Sequence, residues 1–440
     1  MDRNLNMAGT LAAAAEAEGG RVYYVGGFVR DRLLGLESKD IDLEVHGLPP
    51  EQLEAILGAL GTPLTMGESY QIYSLSGYDL DISLPRVNGV VSPFAGTREA
   101  ARRRDFTCNA LMEDVLTGEI LDAFGGQEDL KQGILRHVDD ETFRQDPLRV
   151  LRCAQFAARF GFTVAPETVE LCKHLSLEDA AHERVLGELQ KAMLKSPRPS
   201  RFFEVLREMN QLSRWFPEVE ALIGVPQPPR HHAEGDVWNH TMRVVDAAAE
   251  LKAYADNPFG LMLSALTHDF GKIVATTNRD GVIHAYGHEI KGLPLVRRFL
   301  ARLTDEKALM QYVENQTKLH MKPNRMAADG SSVKSTNKLF DDAVDPEGLI
   351  CLAFSDNRGS LSEGPFVSHE EFFRERLRLF RETMAQPYVR GRDLIEAGIQ
   401  PDRRFGEYLA FAHKLRLSGV PKENALKQTL AQFRNKSETK

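Results

Sequence analysis

From Arg21 to about Gly125, apolar residues alternate with polar ones in short runs bounded by Gly or Asp turns. The runs "RVYYVGG", "DIDLEVH", "QIYSLSGYDLDISL" and "GEILDAF" predict strands from their β-branched and aromatic content. Short helices between them make this a mixed α/β unit. Beyond it the period changes to three and four: "DPLRVLRCAQFAARFGF", "RVLGELQKAMLK", "SRFFEVLREMN" and "LMLSALTHDFGK" predict amphipathic helices, so the remaining ~300 residues are mainly helical. Pro and Gly cluster at "KSPRPS", "GVPQPPRHHAEGD" and "DPEGL", which divides the helical part near residues 215 and 360. The expected parts are 1–125, 126–215, 216–360 and 361–440.

A chain of 440 residues is too long for one ordinary core. With 42% hydrophobic and 27% charged residues it has a globular composition, and no apolar run approaches the ~18 residues that would cross a bilayer. The N-terminal Ala run predicts the first helix of the fold rather than an export signal. Cys108, Cys153, Cys172 and Cys351 are far apart and form no CxxC, so neither a disulfide framework nor a zinc ribbon is implied; a reducing, cytoplasmic setting is expected. A net charge of −8 argues against nonspecific coating of nucleic acid, although Arg102, Arg103 and Arg104 form a local basic cluster.

Chemistry concentrates first in "YVGGFVRDRLLGLESKDIDLEV". Alternation on a strand puts Asp40 and Asp42 on one face, and like charges that close call for a cation. Mg²⁺ is suited to this, because it binds one or two carboxylates together with substrate phosphates. Asp79 and Asp81 in "GYDLDISLPR" repeat the pattern, and either can complete the clamp. Gly26 and Gly27 allow backbone N–H groups to approach a triphosphate, and Arg30 can clamp it. Taken alone, D-x-D is more often a solvated strand edge; the Gly pair upstream reverses that preference.

The motifs "GGFVRD", "KDIDLEV", "RRRDFTCNAL" and "DPLRVLRCAQFAARFGF", in this order over roughly residues 20 to 195, resemble the class II tRNA nucleotidyltransferase and bacterial poly(A) polymerase superfamily. The resemblance implies an α+β fold with a polymerase-β-like head followed by helical neck and tail parts. It implies that Asp40 and Asp42 hold Mg²⁺, with Asp81 as the third carboxylate, since it stands five residues before Arg86. It also implies that Gly27, Arg30 and Arg104 contact the phosphates or sugar of the incoming nucleotide, with Asp105 and Asn109 on the ribose side.

Asp146, Arg149 and Arg152 are spaced to line one helix face. The family uses the acid and the first arginine of this motif to pair with the incoming base. Cytosine and adenine both present an amine beside a ring-nitrogen acceptor, so carboxylate plus guanidinium suits both, whereas uracil and guanine would oppose a carbonyl to the carboxylate. The plainer alternative is a capped helix, with Asp146 at N-cap and Pro147 at N1. Two departures stand out: Gln145 replaces the family's usual Glu, and residues 86–105 are shorter than the flexible loop of full CCA-adding members, a feature associated with CC-only enzymes.

A second constellation comprises His240, His268, Asp269 and Asp356, each within a predicted helix, which is the raw material of a bundle-core metal site. "HHAEGDVWNHT" and "HDFGK" resemble an HD-superfamily phosphohydrolase domain; the resemblance makes these four residues ligands of a divalent metal of unspecified identity, and puts His284, His288 and His320 where further histidines of that domain fall. Glu183 and Arg184 are as compatible with a structural role as with a functional one. The arginines 374, 376, 378 and 381 read as a solvated helix face, and "GRDLIEAGIQPDRRFGEYL" resembles the family's tail element, with a role in tRNA docking. The expected activity is template-independent addition of C and A to the tRNA 3′ end from CTP and ATP. Its rivals are CC-only addition, poly(A) synthesis, a chain acting mainly as an HD phosphohydrolase, and a noncatalytic tRNA-binding factor.

Overall fold

The computed structural model describes residues 2–38, 40–66, 72–230, 232–361 and 369–434. Lys39, Gln71, His231 and the polar end after Arg434 lie outside the described residues. The chain separates into two compact units, one of Met1–Ala192 with Arg201–Arg214, the other of Met193–Ser200 with Trp215–Lys440. The expected head and most of the expected neck fall in the first unit; residues 193–200 and 215 of that neck fall in the second, with the expected HD and tail parts.

The first unit is built on a seven-stranded sheet. Its strands are β1 (Arg21–Val25), β2 (Ile41–His46), β3 (Pro63–Met66), β4 (Ile72–Leu75), β5 (Leu80–Ser83), β8 (Met112–Asp114) and β9 (Ile120–Leu121), in the order β3-β4-β5-β2-β1-β8-β9. A separate two-stranded piece pairs β6 (Arg86–Val87) with β7 (Val90–Val91). The predicted run from Gln71 to Leu84 divides into β4 and β5, because Gly77 turns the chain at φ 84°. Strands β3 and β8 were not predicted.

Strands β2 and β5 run parallel with Asp42 opposite Asp81 and Glu44 opposite Ser83, while β1 and β2 are antiparallel. On β2, Ile41, Leu43 and Val45 are buried. The N-terminal helix, Asp2–Ala17, packs on β1, β2 and the helix Pro50–Leu60. Burying three aliphatic side chains contributes roughly 1.5–3 kcal/mol each and fixes the register, since a slip of one residue would turn the acids of β2 into that core. Residues 86–91 form a tight hairpin with Asn88 (φ 51°) and Gly89 (φ 81°) at its turn, and the helix Thr97–Arg102 follows.

In the second unit the helices Val237–Leu251, Pro258–Thr267, Lys307–Leu319 and Pro346–Gly359 pack together. Gly271, in "HDFGK", lies against the backbone of the segment that begins at His288: a Cβ there would sit 1.9 Å from the His288 carbonyl oxygen. Only glycine permits that approach, which carries His288 to Asp269. Of the arginines read as a solvated face, Arg374, Arg378 and Arg381 pair with Glu370, Glu382 and Glu347, and Arg376 lies over the Phe372 ring.

Candidate functional site

Two clusters of acids stand out, one in each unit. In the first, the parallel register sets Asp42 beside Asp81, with Asp40 exposed one residue before β2 and Asp42 half-buried. Asp79 lies before β5 and outside the pairing, its backbone N–H directed to Asn4. Burial raises the Asp42 carboxyl; Arg104 opposes this, and the charges of Asp81 and Asp40 add to it. The Asp81 carboxyl is likewise raised, by burial and then by Asp79 and Asp40. Mutual repulsion of this kind is what a bound cation relieves.

Gly26 turns the chain at φ 68°, ψ −130° into the helix Gly27–Leu33. A Cβ on Gly26 would lie 3.4 Å from Arg104 Nη1 and 3.6 Å from Asp42 Oδ2, so the Gly turn, the acid and the guanidinium meet at one place. Arg104 is oriented by Glu44, two residues beyond Asp42 on the same face of β2. Glu44 accepts from Arg104 at 3.3 Å and Arg103 at 3.2 Å, and His46 Nε2 lies 2.9 Å away. Burial alone would raise the Glu44 carboxyl, but the His46 hydrogen bond and the two guanidiniums prevail and hold it at about 2. Neither Glu44 nor His46 was identified from the sequence. The signal was present, since "DIDLEVH" keeps a polar residue at every second position.

Arg30 is 4% exposed and is spent within the protein. Its Nε and Nη2 donate to Asp31 and its Nη1 to Asn109 at 2.6 Å, while Phe156 and Phe160 flank the guanidinium. Asn109 donates to Asp105, whose other oxygen accepts from Arg152 Nε at 2.8 Å. Burial would raise the Asp105 carboxyl; Arg152, then Asn109, bring it below its usual value. Four of the predicted residues, Arg30, Asn109, Asp105 and Arg152, thus form one connected buried chain. Charge-assisted networks of this kind fix side-chain positions.

Asp146 precedes the helix Leu148–Phe160, accepting from the Leu148 N–H, and pairs with Arg184. Arg149 donates to the carbonyls of Thr142 and Arg103. The three charges stay within electrostatic reach of one another, but Asp146 lies just outside the helix and Arg152 is directed to Asp105.

The second cluster is enclosed. His240 Nε2 lies 3.0 Å from Asp356 Oδ1, 3.3 Å from His268 Nε2 and 3.6 Å from Asp269 Oδ2. His288 Nε2 lies 3.1 Å from the other oxygen of Asp269 and 3.2 Å from His320 Nε2. His268, His288 and His320 each direct Nδ1 to a backbone carbonyl, of Ala265, Ala285 and Thr317, and His240 Nδ1 faces the Glu234 carboxylate. With Nδ1 donating, every neutral ring turns a bare Nε2 lone pair toward its neighbours. Converging lone pairs repel unless a cation lies between them, and carbonyl or carboxylate support at Nδ1 is the usual second layer of a metal site. His240, His268 and Asp269 form one donor group within 4.8 Å, and Asp269, His288 and His320 a second. Burial, then His268 and His288, push the His320 imidazole down to about 3, which keeps it neutral and able to ligate. Lys272 Nζ, 2.7 Å from Asp269 Oδ2, and Glu234 were not singled out from the sequence. His284 stacks on Tyr286 instead, with ring centroids 4.9 Å apart.

Comparison with known proteins finds three matching family models along the chain. The family described as "Poly A polymerase head domain" matches residues 22–136, "Probable RNA and SrmB- binding site of polymerase A" matches 161–223, and "HD domain" matches 237–358. A Multifunctional CCA protein of Actinobacillus pleuropneumoniae serotype 5b is 39% identical over 335 residues, 70% of this chain and 77% of that protein. One from Nitrosococcus oceani is 37% identical over 401 residues, 86% of this chain and 93% of that protein.

The chain belongs to the multifunctional CCA protein family.

Solved structures of CCA-adding enzymes share the fold. A CCA-adding enzyme with ATP superposes with TM-score 0.69 at 22% identity, covering 98% of this chain and 94% of that one. The Thermotoga maritima CCA-adding enzyme complexed with tRNA gives 0.67 at 22%, covering 97% and 95%. Nucleotidyltransferase and HD families generally use divalent metals, and the histidine and aspartate groups of the second unit suit them. Among the described residues, no helix is long and apolar enough to cross a membrane.

Proposed function

We propose that this chain adds C and A to the 3′ end of tRNA without a nucleic acid template, transferring CMP and AMP from CTP and ATP, in the cytoplasm. The observation that carries the reading is that strand register sets Asp42 beside Asp81 while Gly26 and Arg104 close on Asp42. Asp40, Asp42 and Asp81 are the catalytic carboxylates and hold Mg²⁺, which when bound supplies charge neutralisation and polarisation at the α-phosphate. Gly26 and Gly27 keep side chains away from the phosphates, so first-turn N–H groups can face them, and Arg104, aimed by Glu44, contributes positive charge. Arg30, Asn109, Asp105 and Arg152 shape the ribose side as a preorganised frame, with Arg30 acting through its neighbours rather than as a free clamp. Asp146 and Arg149 recognise the base: an acceptor and a donor side by side match cytosine and adenine and mismatch uracil and guanine.

His240, His268, Asp269 and Asp356, with His288 and His320, would hold divalent metal in the HD part, where such an ion supplies Lewis-acid activation of a phosphodiester such as a 2′,3′-cyclic phosphate. Lys272 then holds the charge of Asp269, and the Nδ1 partners fix each ring. The proposed division into head 1–125, neck 126–215, HD 216–360 and tail 361–440 follows these roles.

The test supplies tRNAs ending before CCA, after C and after CC with each nucleotide singly, and sizes the products. Addition of C, C and then one A is expected. Arrest at CC would support the CC-only reading suggested by the short segment between Arg86 and Asp105, and long A tails would replace the proposal with poly(A) synthesis.

A further inference from the structure

The base-recognising pair is held by partners outside itself. Asp146 lies between the end of the helix Asp140–Arg144 and the start of Leu148–Phe160, outside both. Its Oδ1 accepts from the Leu148 N–H at 3.2 Å, and its Oδ2 accepts from Arg184 Nη2 at 2.8 Å. Arg184 belongs to another helix, His182–Lys195, and both side chains keep solvent access, 55% for Arg184 and 33% for Asp146. Arg149 donates to the carbonyls of Thr142 at 2.9 Å and Arg103 at 2.6 Å.

We propose that Arg184 is a positioning residue for nucleotide selection, holding the Asp146 carboxylate at the angle from which its free lone pairs accept the amine of cytosine or adenine. The inference rests on the reading of Asp146 as a base-recognising residue. A carboxylate accepts about four hydrogen bonds, and here one site on each oxygen is taken, leaving a site on each for a base. Rotation of the carboxylate about its own bond is blocked by contacts at both oxygens. A base carbonyl presented to that acceptor finds no donor, and a site built around hydrogen bonds rejects such a partner strongly. Freed from Arg184, the carboxylate turns toward solvent and the discrimination is lost. Partly exposed ion pairs add little to stability, so the contact should be visible in selection rather than in melting.

The experiment compares full-length wild type with Arg184→Ala, Arg184→Lys and Asp146→Ala, using tRNA lacking CCA and tRNA ending in CC with each of the four nucleotides. For Arg184→Ala, KM for CTP and ATP should rise about tenfold, kcat should change less than about twofold, and the C-over-U and A-over-G ratios should fall by a similar factor, with the melting temperature unchanged. Arg184→Lys, which keeps the charge without the planar fork, should recover part of the ratio. Unchanged ratios in Arg184→Ala beside altered ratios in Asp146→Ala would overturn the role of Arg184 and leave the base reading intact. Unchanged selection in Asp146→Ala would overturn both. Should Arg184→Ala melt early, the lysine variant decides: wild-type melting with wild-type ratios and no KM shift in Arg184→Lys, or early melting in both variants, makes the contact structural and rejects the proposal.

Discussion

The two acid clusters address one electrostatic problem in opposite ways. In the head, Asp42 and Asp81 sit on neighbouring strands with Asp40 exposed beside them, and their carboxyls are raised by burial and mutual repulsion. In the HD part, Asp269 is buried between histidines, and although burial alone would raise its carboxyl, His268 and Lys272 draw it well below its usual value. On the proposed reading, the open arrangement would leave coordination positions for a substrate that brings its own phosphates, and the closed one would supply nearly all donors itself. The lesson is that the donor shell around the acids, rather than the acids themselves, separates an ion shared with the substrate from one retained by the protein.

The largest test of this contrast removes one site at a time. Asp40→Ala with Asp42→Ala should lower nucleotide incorporation at least ~1,000-fold, about 4 kcal/mol of transition-state stabilisation, while circular-dichroism melting and HD-dependent phosphodiester hydrolysis stay at wild-type levels. Loss of both activities together would break the separation. His268→Ala with Asp269→Ala should in turn abolish metal retained after desalting, measured by elemental analysis, and leave incorporation within about twofold. Retained metal would show that the converging histidines are not the ligands.

Glu44 sharpens the comparison from within the head. Its carboxyl lies at about 2 in the folded protein against 4.5 ordinarily, so it binds fewer protons folded than unfolded. Its stabilising effect is complete above the unfolded value and disappears as pH falls from about 4.5 toward 2. Glu44→Gln should cost on the order of 3 kcal/mol in urea unfolding at pH 7, and the difference from wild type should shrink steadily below pH 4.5. A cost that does not vary with pH would mean that packing, not charge, holds this residue.

The smallest effect concerns Asp79. Because Asp81 and not Asp79 pairs in register with Asp42, Asp79→Asn should alter kcat by less than about threefold, and Asp81→Asn by at least about a hundredfold. Equal losses would show that the register does not select the third carboxylate.

Local rules made much of this legible. Alternation in "DIDLEVH" marked one acid-bearing face, and helical spacing in "LMLSALTHDFGK" located the helix that ends before His268 and Asp269. The face drawn through Asp146, Arg149 and Arg152 starts ahead of the helix: Asp146 precedes Pro147, so the turn rather than the 3.6-residue period places it. The buried commitment of Arg30 was hidden for a different reason, since its partner Asn109 stands 79 residues away.

For the strands and helices it predicted, the sequence by itself determined which residue types share a face, because side-chain direction follows from backbone geometry over a few residues. It also determined the family, through motifs whose order and spacing chance does not reproduce. Only the tertiary structure decided that Asp42 faces Asp81, that Glu44 aims Arg104, that Arg184 holds Asp146, and that His288 and His320 join Asp269. Those pairings depend on strand register and helix packing between segments tens of residues apart, where the free energy belongs to the assembled core and no local pattern records it.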